Sequence, residues 1–227
     1  MDYQRILAIG DMHGNFSRLL SVFHKIHFDQ EKDLLILLGD YIDRGPENMR
    51  CLRWAMEMSE KPNVIALRGN HEDYLLQEDL SPELRFVWEQ VGRPATVESF
   101  RSHGWDMEDT IPWLESHCRL FYREDRFQCV HAGIRKEPIE TNDTHTLLHD
   151  HHIVLKNQYR GKLTITGHIA LDMPMWFPGN DNPQILPLYK KVPIPDHGVI
   201  CIDTGCGKGG LLTAMIIEND SFLLYSV

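Results

Sequence analysis

The sequence feature that most constrains the fold is a short motif that occurs three times, each time directly after a run of apolar residues. The three motifs occupy residues 10–14 (GDMHG), 39–45 (GDYIDRG) and 68–72 (RGNHE). Each combines glycine with carboxylate, amide or imidazole side chains, which bind metal ions, or with arginine, which binds phosphate. Three such motifs in order along one chain indicate a metal site, to which the rest of the chain supplies further ligands or packing.

Strands and helices alternate in the first third of the sequence. Apolar runs predict strands at residues 5–9, 34–38 and 64–67, and helical spacing of apolar residues predicts a helix after each of the first two strands, the second at residues 47–60. Such a series folds as a parallel sheet with right-handed crossovers. Because sites in open α/β sheets lie at the carboxyl ends of the strands, the three motifs are expected to meet at one edge of the sheet.

The middle of the chain, at about residues 72–118, has a mostly helical pattern. It carries Trp88, Phe100, Trp105 and Trp113 among its apolar residues, and prolines and glycines interrupt it. We expect these helices to form a cap that closes one face of the sheet. A lid that selects the substrate is the alternative.

The second half of the chain is rich in strands and poor in helix. Apolar runs predict strands at residues 127–130, 163–166, 199–202, 211–217 and 222–225. The last two flank residues 218–221, which are polar, so we expect a hairpin with a four-residue connection. A parallel half followed by a strand-rich half predicts an α/β fold with two sheets packed face to face and helices outside. The 227 residues suffice for a single domain.

An irregular, proline-rich segment spans residues 171–198. Asn180, Asp181 and Asn182 lie near its middle. A loop of this length in a compact domain is usually functional or mobile. The sequence leaves open whether this segment closes over the substrate.

Charge and cysteine content narrow the classes of function. The formal net charge is −10, whereas proteins that bind nucleic acid non-specifically are normally basic, so no nucleic-acid partner is expected. No apolar run approaches the roughly 18 residues of a membrane helix, and the first strand pattern begins too early for a signal peptide. Five scattered cysteines argue against a disulfide framework and for a reducing, cytoplasmic location. We expect a monomer with no membrane partner.

Two more histidines end predicted strands in the second half, His131 in CVHAG and His168 in TGH. The candidate metal ligands are therefore Asp11, His13, Asp40, Asn70, His131 and His168. Oxygen and nitrogen donors without a thiolate suit Mn²⁺, Fe or Zn²⁺ better than Mg²⁺ or a structural zinc. Six ligands suffice for two ions about 3.5–4 Å apart, bridged by a carboxylate and by a water that becomes a hydroxide nucleophile. Histidines in the core or in loops are often only structural. The assignment of His131 and His168 as metal ligands therefore depends on their positions at the ends of strands.

Three residues beside these ligands can handle a phosphate. Arg44 can hold phosphate oxygens through charge-assisted hydrogen bonds. His71 can protonate the leaving alkoxide, and Asp43 can orient its ring. These three are the candidate catalytic residues, and Arg44, Asn70 and His71 are the candidate substrate-binding residues. Asp203, which also ends a strand, is expected to support a ligand or a turn.

At these positions the sequence resembles the phosphoprotein phosphatase family of the calcineurin-like metallophosphoesterase superfamily. The resemblance is carried by residues 10–14, 39–45, 68–72, 131–133, 167–168, 202–205 and 209–214. It spans almost the whole chain. It is greatest toward the short serine/threonine protein phosphatases of bacteria and phages.

The resemblance implies a four-layer α/β/β/α sandwich of two mixed sheets flanked by helices, with a dinuclear manganese or iron centre. It implies two sets of ligands that share one carboxylate, namely Asp11, His13 and Asp40 for one ion and Asp40, Asn70, His131 and His168 for the other. It makes His71 the acid, paired with Asp43, and Arg44 a phosphate ligand. The implied substrate is a phosphorylated protein or a small phosphoester.

One departure from the family pattern concerns a second phosphate-binding arginine, which usually lies between the last two histidine ligands. The corresponding residues here are 147–154 (LLHDHHIV), and no arginine follows until Arg160. His151 or His152 could replace the arginine. Alternatively, Lys156 or Arg160 could reach the site, or the contact could be absent. Since a charge-assisted hydrogen bond is worth roughly 1.5–3 kcal/mol, its absence would weaken phosphate binding.

Three functions are compatible with the sequence. The leading one is a metal-dependent hydrolase of phosphoserine or phosphothreonine in proteins. Asp43 before Arg44 and Glu72 after His71 favour it, since the symmetrical dinucleotide hydrolases usually lack the first acid and have Asp at the second position. Hydrolysis of dinucleoside polyphosphates is the alternative, and a non-catalytic module that binds phosphorylated partners is the third. The acidic charge disfavours a nuclease.

Overall fold

The computed structural model describes residues 3–77, 80–180 and 182–227. Asp181, near the middle of the irregular segment, therefore lies outside the described residues, as do Glu78 and Asp79 within the predicted helical region. The strands of the described chain are β1 (Arg5–Ile9), β2 (Asp33–Leu37), β3 (Val64–Leu67), β4 (Cys118–Arg119), β5 (Phe121–Arg123), β6 (Phe127–Val130), β7 (Leu163–Thr166), β8 (Met175–Phe177), β9 (Gln184–Ile185), β10 (Val192–Pro193), β11 (Val199–Cys201), β12 (Thr213–Glu218) and β13 (Ser221–Ser226). Its α-helices are α1 (Phe16–Ile26), α2 (Asn48–Ser59), α3 (Asn70–Leu76), α4 (Pro82–Val91), α5 (Arg93–Ser102), α6 (Ile111–His117), α7 (Thr144–His149) and α8 (His152–Leu155).

The first sheet contains the three strands that precede the sequence motifs. Its strand order is β10-β13-β12-β1-β2-β3-β4. β1, β2 and β3 run parallel, as predicted, and their carboxyl ends lie together. β12 pairs antiparallel with β1, so the sheet is mixed.

The second sheet is built from the strand-rich half of the chain. Its strand order is β5-β6-β7-β11-β8-β9. β6, β7 and β11 are parallel, whereas β5 and β8 join them antiparallel. Two mixed sheets flanked by helices confirm the predicted fold class.

Alternating side chains of the first sheet divide the core into two parts. Leu35 and Leu37 of β2 belong to the cluster that the sheet forms with α1, α2 and the middle helices. Leu34 and Ile36 point the other way and pack with Ile165 and other residues of the second sheet. Since both faces of β2 are covered, its sequence is continuously apolar. Residues of α7 and α8 pack on the far face of the second sheet, which completes four layers.

The middle helices cover the outer face of the first sheet. Trp88, Phe100 and Trp113 are buried in the cluster that also contains α1 and α2. The helix breaks fall where proline and glycine predict them, with Pro82 at the start of α4 and Gly92 between α4 and α5.

Two sequence predictions were wrong in detail. Glu218 pairs with Ser221, so the hairpin connection contains two residues, with Asn219 at φ 53°, rather than four. The segment 171–198 is not a plain loop, because β8 and β9 add to the second sheet and β10 adds to the first. Strands of two or three residues are too short to show an alternating pattern. The helices α7 and α8 were also not predicted, because six and four residues are too few to show helical spacing.

All five cysteines are free and buried. Burial raises the pKa of each thiol, so these side chains pack as small apolar groups rather than as nucleophiles. Among the described residues, no helix has the length and apolar character needed to cross a membrane.

Candidate metal centre

The predicted site residues come together where strands of both sheets end. Asp11 and His13 follow β1, and Asp40 follows β2. Asn70 and His71 follow β3 and begin α3, whereas His131 follows β6 and His168 follows β7. Because the parallel strands of each sheet end at the same edge, residues far apart in sequence face one another there.

Asp40 is shared by two groups of possible ligand atoms. The first group is His13, Asp40 and His71, and the second is Asp40, His131 and His168; within each group the atoms lie within 4.8 Å of one another. Oδ2 of Asp40 lies 3.4 Å from Nε2 of His13, and Oδ1 lies 3.4 Å from Nε2 of His131. One carboxylate thus serves two neighbouring positions through its two oxygens, an arrangement that suits a bridge between two ions.

Asn70 and Asp11 have different surroundings. Oδ1 of Asn70 lies 3.0 Å from Nε2 of His131 and 2.9 Å from Nδ1 of His168, between the two rings. Asp11 belongs to neither group of ligand atoms. Its Oδ2 accepts a hydrogen bond from the backbone N–H of His168 at 2.9 Å, and a Cβ on Gly167 would lie only 2.0 Å from its Oδ1. Glycine at position 167 therefore leaves the space that this carboxylate occupies.

Backbone carbonyls orient two of the histidine rings. Nδ1 of His13 lies 2.9 Å from the carbonyl oxygen of Ile42, and Nδ1 of His131 lies 2.8 Å from that of Leu38. Each Nδ1–H therefore donates to a carbonyl, which leaves the Nε2 lone pair directed at Asp40. Burial lowers the pKa of both histidines. They are neutral near pH 7, the form in which imidazole binds metals.

The charge and hydrogen bonding of the centre fit divalent cations. Oδ1 of Asp11 and Nε2 of His168 are buried and have no hydrogen-bond partner within the part of the chain that the structure describes. Burial raises the pKa of Asp11, and the charges of Asp203 and Asp40 raise it further. Buried acceptors and crowded carboxylates are costly unless a cation compensates them. The donor set, with oxygen and nitrogen and without a thiolate, suits Mn²⁺, Fe or Zn²⁺.

Backbone strain is concentrated in the centre. Five residues there have positive φ although they are not glycine: His13 (42°), Asp40 (51°), Asp43 (71°), Arg44 (67°) and His168 (65°). Such conformations cost free energy and persist only where the surrounding structure enforces them. The strand-end turns are therefore held by the contacts around them.

Glu72 makes one set of those contacts, a role that its place in the sequence did not indicate. Its carboxylate is fully buried and accepts hydrogen bonds from the backbone N–H groups of Asp40 and Tyr41, both at 2.8 Å, and of Gly69 at 3.0 Å. It thereby joins the turn after β2 to the turn after β3. Glu72 lies three residues after Gly69, the residue that precedes α3, and at this spacing a glutamate reaches back to the backbone N–H of the cap. This spacing was the signal that could have revealed it.

The three candidate catalytic residues also meet. Nδ1 of His71 lies 2.6 Å from Oδ2 of Asp43, and the guanidinium of Arg44 lies 3.3 Å from Nε2 of the same ring. Although burial favours the neutral ring, the charge of Asp40 and the hydrogen bond to Asp43 outweigh it and raise the pKa of His71. Trp88 and Thr96 also hydrogen-bond to Asp43, which the sequence did not indicate.

The region that lacks the family's second arginine contains histidine instead. The ring of His151 lies 4.6 Å from the ring of His168. His152, Lys156 and Arg160 line a neighbouring surface pocket. Of the candidates raised from the sequence, His151 is therefore the one with a contact to a ligand ring. Separately, Oδ1 of Asp203 accepts a hydrogen bond from the N–H of Gly205, which confirms its role in the turn.

Comparison with known proteins gives relatives with two different names. The chain is 33% identical over 127 residues to the symmetrical bis(5'-nucleosyl)-tetraphosphatase of Methylobacillus flagellatus, covering 56% of this chain and 42% of that protein. It is 32% identical over 125 residues to serine/threonine-protein phosphatase 1 of Salmonella typhimurium, covering 52% and 56%. Several further bacterial relatives carry the first name. The chain thus spans about half the length of the first curated relatives that it matches.

Solved structures and a family model agree on the fold. A metallophosphoesterase from Sphaerobacter thermophilus superposes with a TM-score of 0.66 at 18% identity, covering 98% of this chain and 88% of that one. The model of the calcineurin-like phosphoesterase family matches residues 4–201. Since this match covers most of the sequence, including every candidate ligand, the chain belongs to the calcineurin-like phosphoesterase family.

Proposed function

We propose that this chain hydrolyses phosphoesters with the help of two divalent metal ions and that its substrates are dinucleoside polyphosphates. The observation that carries the reaction type is the carboxylate of Asp40, which is shared by the group with His13 and His71 and the group with His131 and His168. Arg44 lies beside His71. The substrate class is supported by the names of several bacterial relatives. The sequence pattern alone favoured a protein substrate, and these relatives favour the alternative.

We assign the metal ligands as the sequence analysis did, to Asp11, His13, Asp40, Asn70, His131 and His168. Bound ions would supply a nucleophile at neutral pH and neutralise charge on the phosphoryl oxygens. The neutral rings of His13 and His131 support the assignment. So do the atoms of Asp11 and His168 that have no hydrogen-bond partner among the described residues. Manganese is the proposed metal, with iron or zinc as alternatives.

Arg44 and His71 act on the two ends of the scissile bond. Arg44 holds the non-bridging phosphate oxygens through charge-assisted hydrogen bonds. His71 gives the proton on Nε2 to the departing oxygen, and Asp43 accepts a hydrogen bond from Nδ1 throughout. The guanidinium and Nε2 are 3.3 Å apart, close enough for both groups to contact one phosphate, which supports this assignment.

A second candidate function is hydrolysis of phosphoserine or phosphothreonine in proteins. The pair of Asp43 and His71 favours it, because an alkoxide leaving group is strongly basic and needs a proton. The phosphate of a departing nucleotide is weakly basic and needs the acid less. A non-catalytic module that binds phosphorylated partners is disfavoured by the intact acid pair.

The test compares turnover of bis(5'-adenosyl) tetraphosphate with that of a phosphothreonine peptide by Mn²⁺-loaded protein, with His71→Asn beside the wild type. We expect faster turnover of the dinucleotide. Preferential turnover of the peptide would transfer the assignment to the second candidate. Metal uptake without turnover of either substrate would support the binding module and contradict the proposal.

We also propose a cytoplasmic monomer that forms a single domain, with residues 72–118 as its helical cap. The free cysteines support the location. The burial of Trp88, Phe100 and Trp113 against α2 and the first sheet supports the single domain.

A further inference from the structure

The carboxylate of Asp43 is bound on every side. It is fully buried and lies 2.6 Å from Nδ1 of His71. The indole Nε1–H of Trp88 donates to the same oxygen, Oδ2, at 2.7 Å. The hydroxyl of Thr96 donates to the other oxygen, Oδ1, at 2.5 Å. A buried carboxylate with three donors has one orientation, because rotation would leave donors without an acceptor.

Thr96 holds Asp43 in two ways. Its hydroxyl oxygen also accepts a hydrogen bond from the backbone N–H of Asp43 at 3.0 Å. One hydroxyl therefore contacts both the main chain and the side chain of the same residue. Since Thr96 lies in α5 and is fully buried, its own position is fixed by the helix.

Gly92 holds the neighbouring backbone. It lies between α4 and α5 at φ 136°, and a Cβ there would lie 2.1 Å from the backbone nitrogen of Arg44 and 2.8 Å from Cβ of Asp43. Only glycine allows so close an approach at this φ. Asp43 and Arg44 both have positive φ, so Gly92 packs directly against a strained turn.

We infer that Trp88, Gly92 and Thr96 form a brace that positions Asp43, and through it the ring of His71, for proton transfer to the leaving group. Their contacts described above are with Asp43 and with the backbone of Arg44, so they are positioning residues. The middle helices thus influence the reaction by holding Asp43 and His71 in place, and not by closing over the substrate as a lid. This inference rests on the proposed role of His71.

The test uses two aryl phosphates that differ in leaving group. Phenyl phosphate needs a proton for its departing oxygen, whereas 2,4-dinitrophenyl phosphate does not. In Thr96→Val and Trp88→Phe we expect kcat on phenyl phosphate to fall by about 10- to 100-fold. This is at or below the lower end of the roughly 10²- to 10⁴-fold that general acid catalysis contributes, because the acid is displaced and not removed. On 2,4-dinitrophenyl phosphate we expect a change of less than about three-fold. Equal losses on both esters would overturn the brace, because general damage to the centre slows both.

Matched controls come from the same helical region. Trp113 is buried and its indole donates to Ser59 at 2.9 Å, and Thr110 is buried and its hydroxyl donates to Met107 at 2.6 Å. Trp113→Phe and Thr110→Val remove the same groups and should leave the ratio of the two rates unchanged. Thr96→Ser keeps the hydroxyl and should restore most of the rate on phenyl phosphate.

A second comparison asks whether the brace acts through His71. Residues that act as a unit give non-additive losses. In the His71→Asn background, Thr96→Val should therefore cause no further loss on phenyl phosphate. A further loss as large as in the wild type would overturn the inference.

A spectroscopic measurement separates this inference from the proposed function. The Nδ1–H proton of His71 should give a downfield NMR signal that is missing in His71→Asn. We expect this signal to shift in Thr96→Val and Trp88→Phe and to stay in place in the two controls. If the protein hydrolysed no phosphoester, the proposed function would be contradicted, but the NMR signal could still be compared between variants. An unchanged signal in Thr96→Val and Trp88→Phe would overturn the brace.

Discussion

The two sides of the metal centre are built differently. On the acid side, Asp43, His71 and Thr96 are buried, and they are joined by hydrogen bonds of 2.5 to 2.6 Å. On the side of His168, the neighbouring ring of His151 is exposed. The acid side is therefore preorganised before a substrate arrives, whereas the exposed side is free to adjust to one. Changes on the acid side should act on kcat, and changes on the exposed side should act on KM.

The largest effect is expected where the two sides share a residue. Asp40→Asn removes the charge that both groups of ligand atoms use. We expect metal affinity to fall by more than about 100-fold, beyond the loss seen when only a supporting residue is changed. Metal content after dialysis, together with turnover, measures it.

Asp33→Asn is the matched control for this prediction. Asp33 is equally buried, begins the strand that Asp40 follows, and pairs with Arg5 at 2.9 Å. It should lower the free energy of unfolding and leave metal content unchanged. Equal metal content in both variants would contradict the shared role of Asp40.

The second largest effect is expected for Glu72→Gln, which should weaken the strand-end turns that carry Asp40 and His71. The amide has one acceptor oxygen and an NH₂ group that would face backbone N–H donors. We expect a loss of about 3 kcal/mol in the free energy of unfolding and a fall in Tm of about 6–12 °C. Thermal unfolding measures it.

Glu57→Gln serves as the control for Glu72. Glu57 lies on α2, is mostly exposed and pairs with Arg53 one helical turn away. Its loss should be no more than about 0.5 kcal/mol. If the two glutamates behaved alike, the contacts of Glu72 with the strand-end turns would not be what stabilises them.

Gly92→Ala should displace Asp43 and Arg44 without removing a polar group. Its Cβ would overlap the backbone of Arg44, and we expect kcat to fall by roughly 10- to 100-fold, as small misplacements of catalytic groups do. Gly104→Ala is the control, since Gly104 also has a positive φ of 72°, but a Cβ added there would have no heavy atom of the described chain within 4 Å. It should cost about 1–2 kcal/mol of stability and leave kcat unchanged.

The smallest effect is expected on the exposed side. His151→Ala removes a ring that contacts His168 and that is the candidate replacement for the second arginine. Loss of one hydrogen bond to the substrate phosphate should raise KM by roughly two- to ten-fold with little change in kcat. His145 is the control, because it is exposed and stacks on His149. A fall in kcat for His151→Ala without a rise in KM would show that the exposed side is as preorganised as the acid side.

The difference between the two sides also explains what the sequence could predict. β1 and β3 occur where their apolar runs predict them, and the motif residues meet because strand ends meet. A strand is marked by the pattern of apolar residues that are neighbours in the chain, so it can be predicted from the sequence. The shared position of Asp40 follows from its place after β2.

What the sequence did not reveal depends on contacts between distant residues. Thr96 and Trp88 lie 53 and 45 residues from Asp43, and nothing in a helical pattern marks a side chain that reaches a strand-end turn. β9 and β10 have two residues each, too few for a period to be visible. The surroundings of Asp11 are a further example, because the sequence did not indicate that its carboxylate lies against Gly167 and His168.

The most direct test of the central claim is a calorimetric titration of metal-free protein with Mn²⁺, followed by turnover of bis(5'-adenosyl) tetraphosphate at each metal ratio. We expect two ions to bind per chain and turnover to rise with the second ion, and both to be lost in Asp40→Asn. Binding of no metal, or turnover that is independent of metal and intact in Asp40→Asn, would contradict the assignment of this cluster as a two-metal hydrolytic centre.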